Sequence, residues 1–148
     1  MKEPARFLVL VFMTTPIILV GVGWRIAPEP QALAPFLARL GVGFVADPLP
    51  LMLFVLGAAS ALASLVLPMP DALPAMRARI LIKAALGEAA ATSGLVAMLL
   101  AKPGADRAQT PLLLGALVAE FALAKLLTFD VPRLEAAAAE RAGSITPK

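Results

Sequence analysis

Four long runs of apolar residues, separated by shorter polar stretches, dominate the sequence. The runs are 18 to 23 residues long, and about 20 apolar residues suffice for a helix to cross the hydrocarbon core of a bilayer. The pattern therefore predicts an all-α, polytopic integral membrane protein: a four-transmembrane-helix bundle with short interfacial helices and no sheet. The predicted spans, numbered one to four, are residues 7–24, 49–67, 79–101 and 111–129.

The segments outside the predicted spans add short helices at the membrane surface. In the longest connection, residues 25–48, apolar side chains recur at helical spacing, which favours an interfacial helix. A re-entrant segment is the alternative for this connection. After span four, Asp130 is expected to cap a surface helix that begins at Pro132. The chain is thus one four-helix domain with a tail at residues 130–148.

The composition supports the membrane assignment and excludes several kinds of metal site and catalytic site. Hydrophobic residues make up 60% of the 148-residue chain and charged residues 16%, whereas a soluble domain carries about 25% charged residues. The chain has no cysteine and no histidine, which removes thiolate metal sites, the usual haem ligand and the ordinary general base. We therefore expect no metal, no cofactor, no catalytic residue and no enzymatic activity. The net charge of +3 comes without the arginine–aromatic patch of a nucleic-acid-binding protein.

The basic residues outside the spans predict how the chain is oriented. Cytoplasmic loops of membrane proteins carry an excess of lysine and arginine. Seven such residues fall on the side of the termini and four on the other side. Both termini, including the tail, are therefore expected in the cytoplasm, and the bacterial inner membrane is the expected location. The seven are Lys2, Arg6, Arg77, Arg79, Arg133, Arg141 and Lys148; the four are Arg25, Arg39, Lys102 and Arg107.

Ionisable residues inside spans three and four are the most informative polar positions. Such groups are costly in a bilayer unless paired or neutral, and they mark functional or structural sites. On helices rising 1.5 Å per residue, Glu88 and Glu120 lie about 12 and 13.5 Å in from the same side, close to the midplane. Lys83 and Lys125 lie about 4.5 and 6 Å in from that side.

Three interpretations of these charges are open. Spans three and four are antiparallel neighbours, so crossed ion pairs Glu88–Lys125 and Glu120–Lys83 are within reach and would join the helices. Alternatively, both lysines extend to the surface and leave two protonated carboxyls. The functional interpretation is a proton- or cation-binding site at Glu88. An acid–base couple of Glu88 and Glu120 would lack a nucleophile or metal.

Small residues predict where spans two and three pack. Small side chains allow helix backbones to approach closely within a membrane. We expect Gly57, Ala61 and Ser64 of span two to contact small residues of span three. These are Gly87, Ala90 and Gly94.

Residues 57–96 also carry a set of motifs at fixed spacing. Pro70 is followed by Asp71, Arg77 ends the loop, and Glu88 lies 18 residues after the proline. Span two contributes the small-residue repeat Gly57-x-Ala59-x-Ala61-x-Ala63. This stretch resembles the helical hairpin of the c subunit (proteolipid) of F-type ATP synthases, with alanines in the glycine repeat.

The resemblance implies a role for one carboxyl group. Glu88 falls at the position of the family's ion-carrying carboxylate, and Thr92, one turn further on, would be its hydroxyl partner. Lys83 stands where the family has a small residue, and two additional spans flank the hairpin.

Two functions are therefore predicted from different classes. The first is an accessory or scaffold subunit of a larger membrane assembly, favoured by the small size, the small-residue helix faces and the lack of a catalytic set. The alternative is a proton- or ion-handling protein with Glu88 as the carrier. The expected partners are the lipid bilayer and other membrane subunits or further copies of the chain.

Overall fold

The computed structural model describes residues 4–26, 48–100 and 110–144, and every regular element in these ranges is helical. A π-helical turn, Leu126–Asp130, joins the last two α-helices into one continuous rod. The α-helices are α1 (Pro4–Ile26), α2 (Pro48–Val66), α3 (Leu73–Leu100), α4 (Thr110–Lys125) and α5 (Val131–Ser144). The predicted connection helix in residues 27–47, the loop at 101–109 and the chain ends lie outside the described residues.

In the described ranges, four helices are long and apolar enough to cross a membrane: α1, α2, α3, and the rod of α4, the π turn and α5. The all-helical prediction is confirmed in the described ranges. The helix of span three begins at Leu73 rather than at residue 79. Pro74 allows this earlier start, because proline fits the first turn of a helix, where its missing N–H has no helical acceptor.

α3 lies at the centre of the bundle. It makes its most extensive contacts with α2 and α4, and α1 packs along both α3 and α4. In the described residues α1 and α2 barely touch. α1 and α2 therefore flank the α3–α4 pair on different sides.

The contact between α2 and α3 uses a different face of α3 from the predicted one. A Cβ atom at Gly57 would lie 2.8 Å from the carbonyl oxygen of Ala89 and would also overlap Ser93. Gly57 thus faces α3 as expected. Its neighbours, however, are Ala89 and Ser93 instead of Gly87 or Gly94, so the prediction is wrong for these two glycines. Ala61 of α2 and the predicted Ala90 of α3 do belong to one buried cluster.

The predicted small residues of α3 instead face α4. A Cβ atom at Gly94 would lie 2.9 Å from the carbonyl carbon of Pro111, and one at Gly115 would overlap the backbone of Ala90. Residues 87, 90 and 94 share one helix face because they are separated by three or four positions. α3 and α4 therefore also approach each other closely along their backbones.

Two groups of buried apolar residues fill the bundle. The first, called the N-terminal cluster, joins the start of α1, the start of α3 and the π turn with α5: Ala5, Val9, Met76, Ile80, Ala84, Leu123, Leu126, Val131 and Leu134. The second, called the alanine cluster, lies deeper and comprises Ala61, Ala90, Ala91, Ala116, Ala119 and Ala122. The end of the bundle at the first cluster is called its N-terminal end.

The π turn keeps apolar residues in the core as α4 runs into α5. Buried positions on α4 recur every three or four residues as far as Leu126, and the next ones are Val131 and Leu134. An uninterrupted α-helix would instead place Asp130 and Arg133 on this stripe. The Val131 N–H donates to the carbonyl oxygen of Leu126, five residues back, so the turn accommodates one extra residue.

The chain after span four differs from the prediction in two respects. The final helix begins at Val131 and its first turn packs in the N-terminal cluster, so it is a continuation of the bundle. Asp130 lies inside the π turn and does not cap α5. Near this end, Arg6 Nε of α1 lies 3.5 Å from Glu135 Oε1 of α5.

Candidate functional site

The charged side chains of α3 and α4 form the site predicted from the sequence, and the structure gives both of its lysines partners that were not predicted. Lys83 is only 5% exposed. Its Nζ donates a hydrogen bond of 2.7 Å to Oδ2 of Asp130, and the two side chains are 6% and 14% exposed. Lys83 is thus in a buried ion pair. Its partner is Asp130 in the π turn, so the predicted pair with Glu120 is wrong.

The geometry of the rod explains this partner. Lys83 lies one turn from Ile80, which belongs to the N-terminal cluster, and Asp130 sits beside Val131 of the same cluster. Glu120 lies ten residues earlier than Asp130, about 15 Å deeper along a helix. The acid at the level of the lysine is therefore Asp130.

Lys125 also has a partner that was not predicted. Its Nζ donates a hydrogen bond of 2.9 Å to the carbonyl oxygen of Leu65. Leu65 is next to the last residue of α2, where carbonyl groups lack helical donors. A positive charge near the C-terminus of a helix is also favourable. Lys125 therefore secures the end of α2 to α4, and the predicted pair with Glu88 is not formed.

Among the described residues, Glu120 has no cationic partner, because Lys83 and Lys125 are bound elsewhere. Its side chain is half-buried, and its Oε1 atom is buried with no hydrogen-bond partner in the described part of the chain. Glu120 and Lys125 are five residues apart, about 140° around an α-helix. Lys125 contacts α2, and the exposed Leu117 and Phe121 mark the outer face of α4. Glu120 consequently lies on the other flank, toward α1.

Glu88 occupies the edge of the outer face of α3. It is half-buried, while Ala85 and Thr92, three and four residues away, are exposed. Glu88 is about 140° around the helix from Lys83, so these two side chains leave α3 in different directions. Thr92, one turn further on, shares the outer face with Glu88. Among the described residues Glu88 forms no ion pair, since both lysines of the bundle interior are engaged elsewhere.

The two carboxyl groups lie at nearly the same level of the bundle but on different helices. A Cβ atom at Gly87 would lie 3.3 Å from Cβ of Ala122, which places Glu88 about level with residues 121–122 of α4. Glu120 is then within about 3 Å of that level along the axis. No group of three or more acidic, histidine or cysteine side chains close enough to hold a metal ion occurs in the described ranges. The chemistry open to these carboxyls is the binding of a proton, a monovalent cation or a donor from another chain.

Two partners in this arrangement were missed from the sequence. Asp130 was interpreted as a helix cap, although its position at the same end of the bundle as Lys83 was a signal for pairing. The carbonyl oxygen of Leu65 carries no sequence signal, because any residue at the end of α2 would present one. The buried stripe that advances by five residues from Leu126 to Val131 was the available signal for the π turn.

No protein family model matches the sequence, and the comparisons with curated proteins and with solved structures found no significant similarity.

Proposed function

We propose that the chain is a polytopic protein of the bacterial inner membrane, with its termini in the cytoplasm, and that it serves as an accessory or scaffold subunit of a larger membrane assembly. Four helices of sufficient length and apolarity support the membrane location. The basic residues near the chain ends support the orientation. No catalytic role, cofactor or nucleic acid is part of this proposal.

The observation that carries the proposal is the position of Glu88. It is a half-buried carboxyl at mid-depth on the edge of an outer face that is otherwise formed by apolar and small residues. An ionisable side chain facing lipid at this depth is unfavourable by several kcal/mol. The lysines that could neutralise it are bound to Asp130 and Leu65. A helix of a second membrane protein packed on this edge would shield Glu88 from lipid and donate a hydrogen bond to it.

Site-specific crosslinking tests the proposed contact. A photoreactive amino acid at Ala85 or Thr92, both exposed beside Glu88, is expected to crosslink to a membrane protein. The same amino acid at Leu117, on the outer face of α4, is the matched control and is expected to label lipid. The captured protein should also co-purify with the wild-type chain at a fixed ratio, and Ala85→Trp should reduce that ratio while Leu117→Trp does not. Labelling of lipid alone at Ala85 and Thr92 would contradict the proposal.

The alternative function is proton or ion handling with a hairpin like that of the ATP synthase c subunit. It is favoured by one observation, the placement of Glu88 and Thr92 on the same outer face, one turn apart. In this case Glu88 is the carrier carboxylate and Thr92 its hydroxyl partner. A carbodiimide that reacts with protonated carboxyls in apolar surroundings should then modify Glu88 first, and the chain should form a ring of identical copies. A single copy beside unrelated subunits favours the accessory role.

A further inference from the structure

Glu120 is a half-buried acid that neither proposed function uses. Its Oε1 atom is enclosed by the bundle and receives no hydrogen bond from any described residue. An ionised carboxylate oxygen in such a place is costly, because the lost hydration is not replaced by donors. A neutral carboxyl avoids most of this cost.

Within the described residues, the surroundings of Glu120 supply no positive charge. On α1, the element that packs on this flank, the only charged residues among those described are Arg6 and Arg25, at its two ends. α2 carries no charged residue. On α3 the titratable group at this depth is the acid Glu88, and Lys83, nearer the N-terminal end, is already paired with Asp130. On α4 itself, Lys125 is bound to the end of α2.

α1, the helix on the flank of Glu120, contains a proline at about the same level. Met13 of α1 packs against the N-terminal cluster and Val20 against the alanine cluster, so the buried Pro16 lies at the boundary between them. On α4 that boundary falls between Ala122 and Leu123, and Glu120 lies within one turn of it. Proline has no N–H, so the carbonyl four residues earlier, that of Phe12, lacks its helical donor. α1 thus carries a carbonyl group without its helical donor at about the level of the acid.

We infer that Glu120 is a proton-binding site inside the bundle, held neutral while α1 is packed over it, and that loss of its proton weakens the packing of α1 on α4. The ligand is a single proton, and the step is the dissociation of the carboxylic acid into a carboxylate and H⁺. This site is separate from the Glu88 edge. The inference about Glu120 is the same whether the chain is an accessory subunit or an ion-handling protein.

Stability measured against pH tests the inference, with the purified full-length protein in lipid nanodiscs. If the folded bundle holds one more proton than the unfolded chain, the folding equilibrium constant falls up to about tenfold per pH unit as pH rises through neutrality. Glu120→Gln keeps the shape but cannot ionise, so its stability should not show this fall. Glu88→Gln is the matched control, at the same depth on the neighbouring helix, and should retain the fall.

Infrared spectroscopy of the same samples gives a second readout that does not depend on unfolding. The wild-type protein at neutral pH should show the carbonyl band of a protonated carboxyl. The band should be lost in Glu120→Gln, shifted in Glu120→Asp and kept in Glu88→Gln. An ionised Glu120 at neutral pH, a pH dependence that persists in Glu120→Gln, or a band that responds to added Na⁺ at constant pH would each overturn the inference. If Glu120→Gln does not fold, the shift of the carbonyl band in Glu120→Asp tests whether the band belongs to residue 120.

Discussion

The ammonium group of Lys83 on α3 donates a hydrogen bond of 2.7 Å to the carboxylate of Asp130 in the π turn, 47 residues further along the chain. The pair connects the central helix to the point where the rod of α4 and α5 takes up its extra residue. The contact therefore couples helix packing to the local geometry of the π turn. Its side chains are largely excluded from solvent, which makes the loss of either partner costly.

We predict that Lys83→Met lowers the free energy of unfolding by roughly 3–5 kcal/mol, because it leaves the carboxylate of Asp130 buried without a cation. Unfolding in mild detergent, followed by circular dichroism, measures this change. The double variant Lys83→Met with Asp130→Leu should recover most of the lost stability. Arg133→Met, an exposed position on α5, is the control and should have little effect. A double variant as unstable as Lys83→Met alone would show that the pair is not the cause.

Lys125→Met should weaken the attachment of α2 to α4. The substitution removes the donor to the Leu65 carbonyl and leaves that oxygen partly buried without a partner, a loss of about 1–3 kcal/mol. Hydrogen exchange should rise in the last turn of α2 and remain unchanged in the first turns of α1. Lys125→Arg keeps a donor, so its hydrogen exchange at the end of α2 should be intermediate between those of wild type and Lys125→Met. Equal exchange at the end of α2 in wild type and Lys125→Met would contradict the assignment.

Gly94→Ala should destabilise the contact between α3 and α4. The added methyl group would lie 2.9 Å from the carbonyl carbon of Pro111 and 3.0 Å from Cα of Leu112. Backbone atoms cannot move aside cheaply, so we expect a loss of about 1–3 kcal/mol. Gly21→Ala is the matched control within a helix, because nothing lies within 4 Å of its Cβ position. It should be neutral or slightly stabilising, since alanine favours a helix over glycine.

The predicted membrane topology can be tested directly because the chain has no cysteine of its own. Single cysteines at Ala72, before α3, and Ala142, near the end of α5, should react with a membrane-impermeant thiol reagent from the same side. A cysteine at Ala105, between α3 and α4, should react only from the opposite side. Reaction of residues 72 and 105 from one side would rule out the crossing of α3.

The sequence by itself determined the class of the fold and the approximate extent of the helices. Four apolar runs of sufficient length and little charge can satisfy their backbone hydrogen bonds in apolar surroundings only as helices, and that constraint is local to each run. The charged positions on spans three and four were equally evident, because an ionisable residue stands out in an apolar segment. Pro74 extended α3 beyond the predicted start through its preference for the first turn of a helix.

Only the tertiary structure decided which groups meet. The partner of Lys83 depends on the rotation of α3 and on the extra residue in the π turn, which places Val131 in the core and Asp130 beside the lysine. The partner of Lys125 is a backbone oxygen at the end of α2. Gly94 faces the backbone of Pro111 and Gly87 the side chain of Ala122, both on α4, whereas Ala89 and Ser93 meet Gly57 of α2. The depth of a residue along a helix follows from counting residues. The rotation of each helix and the reach of its side chains follow from packing among several helices at once. For this reason neither Glu88 nor Glu120 forms the ion pair that was predicted for it.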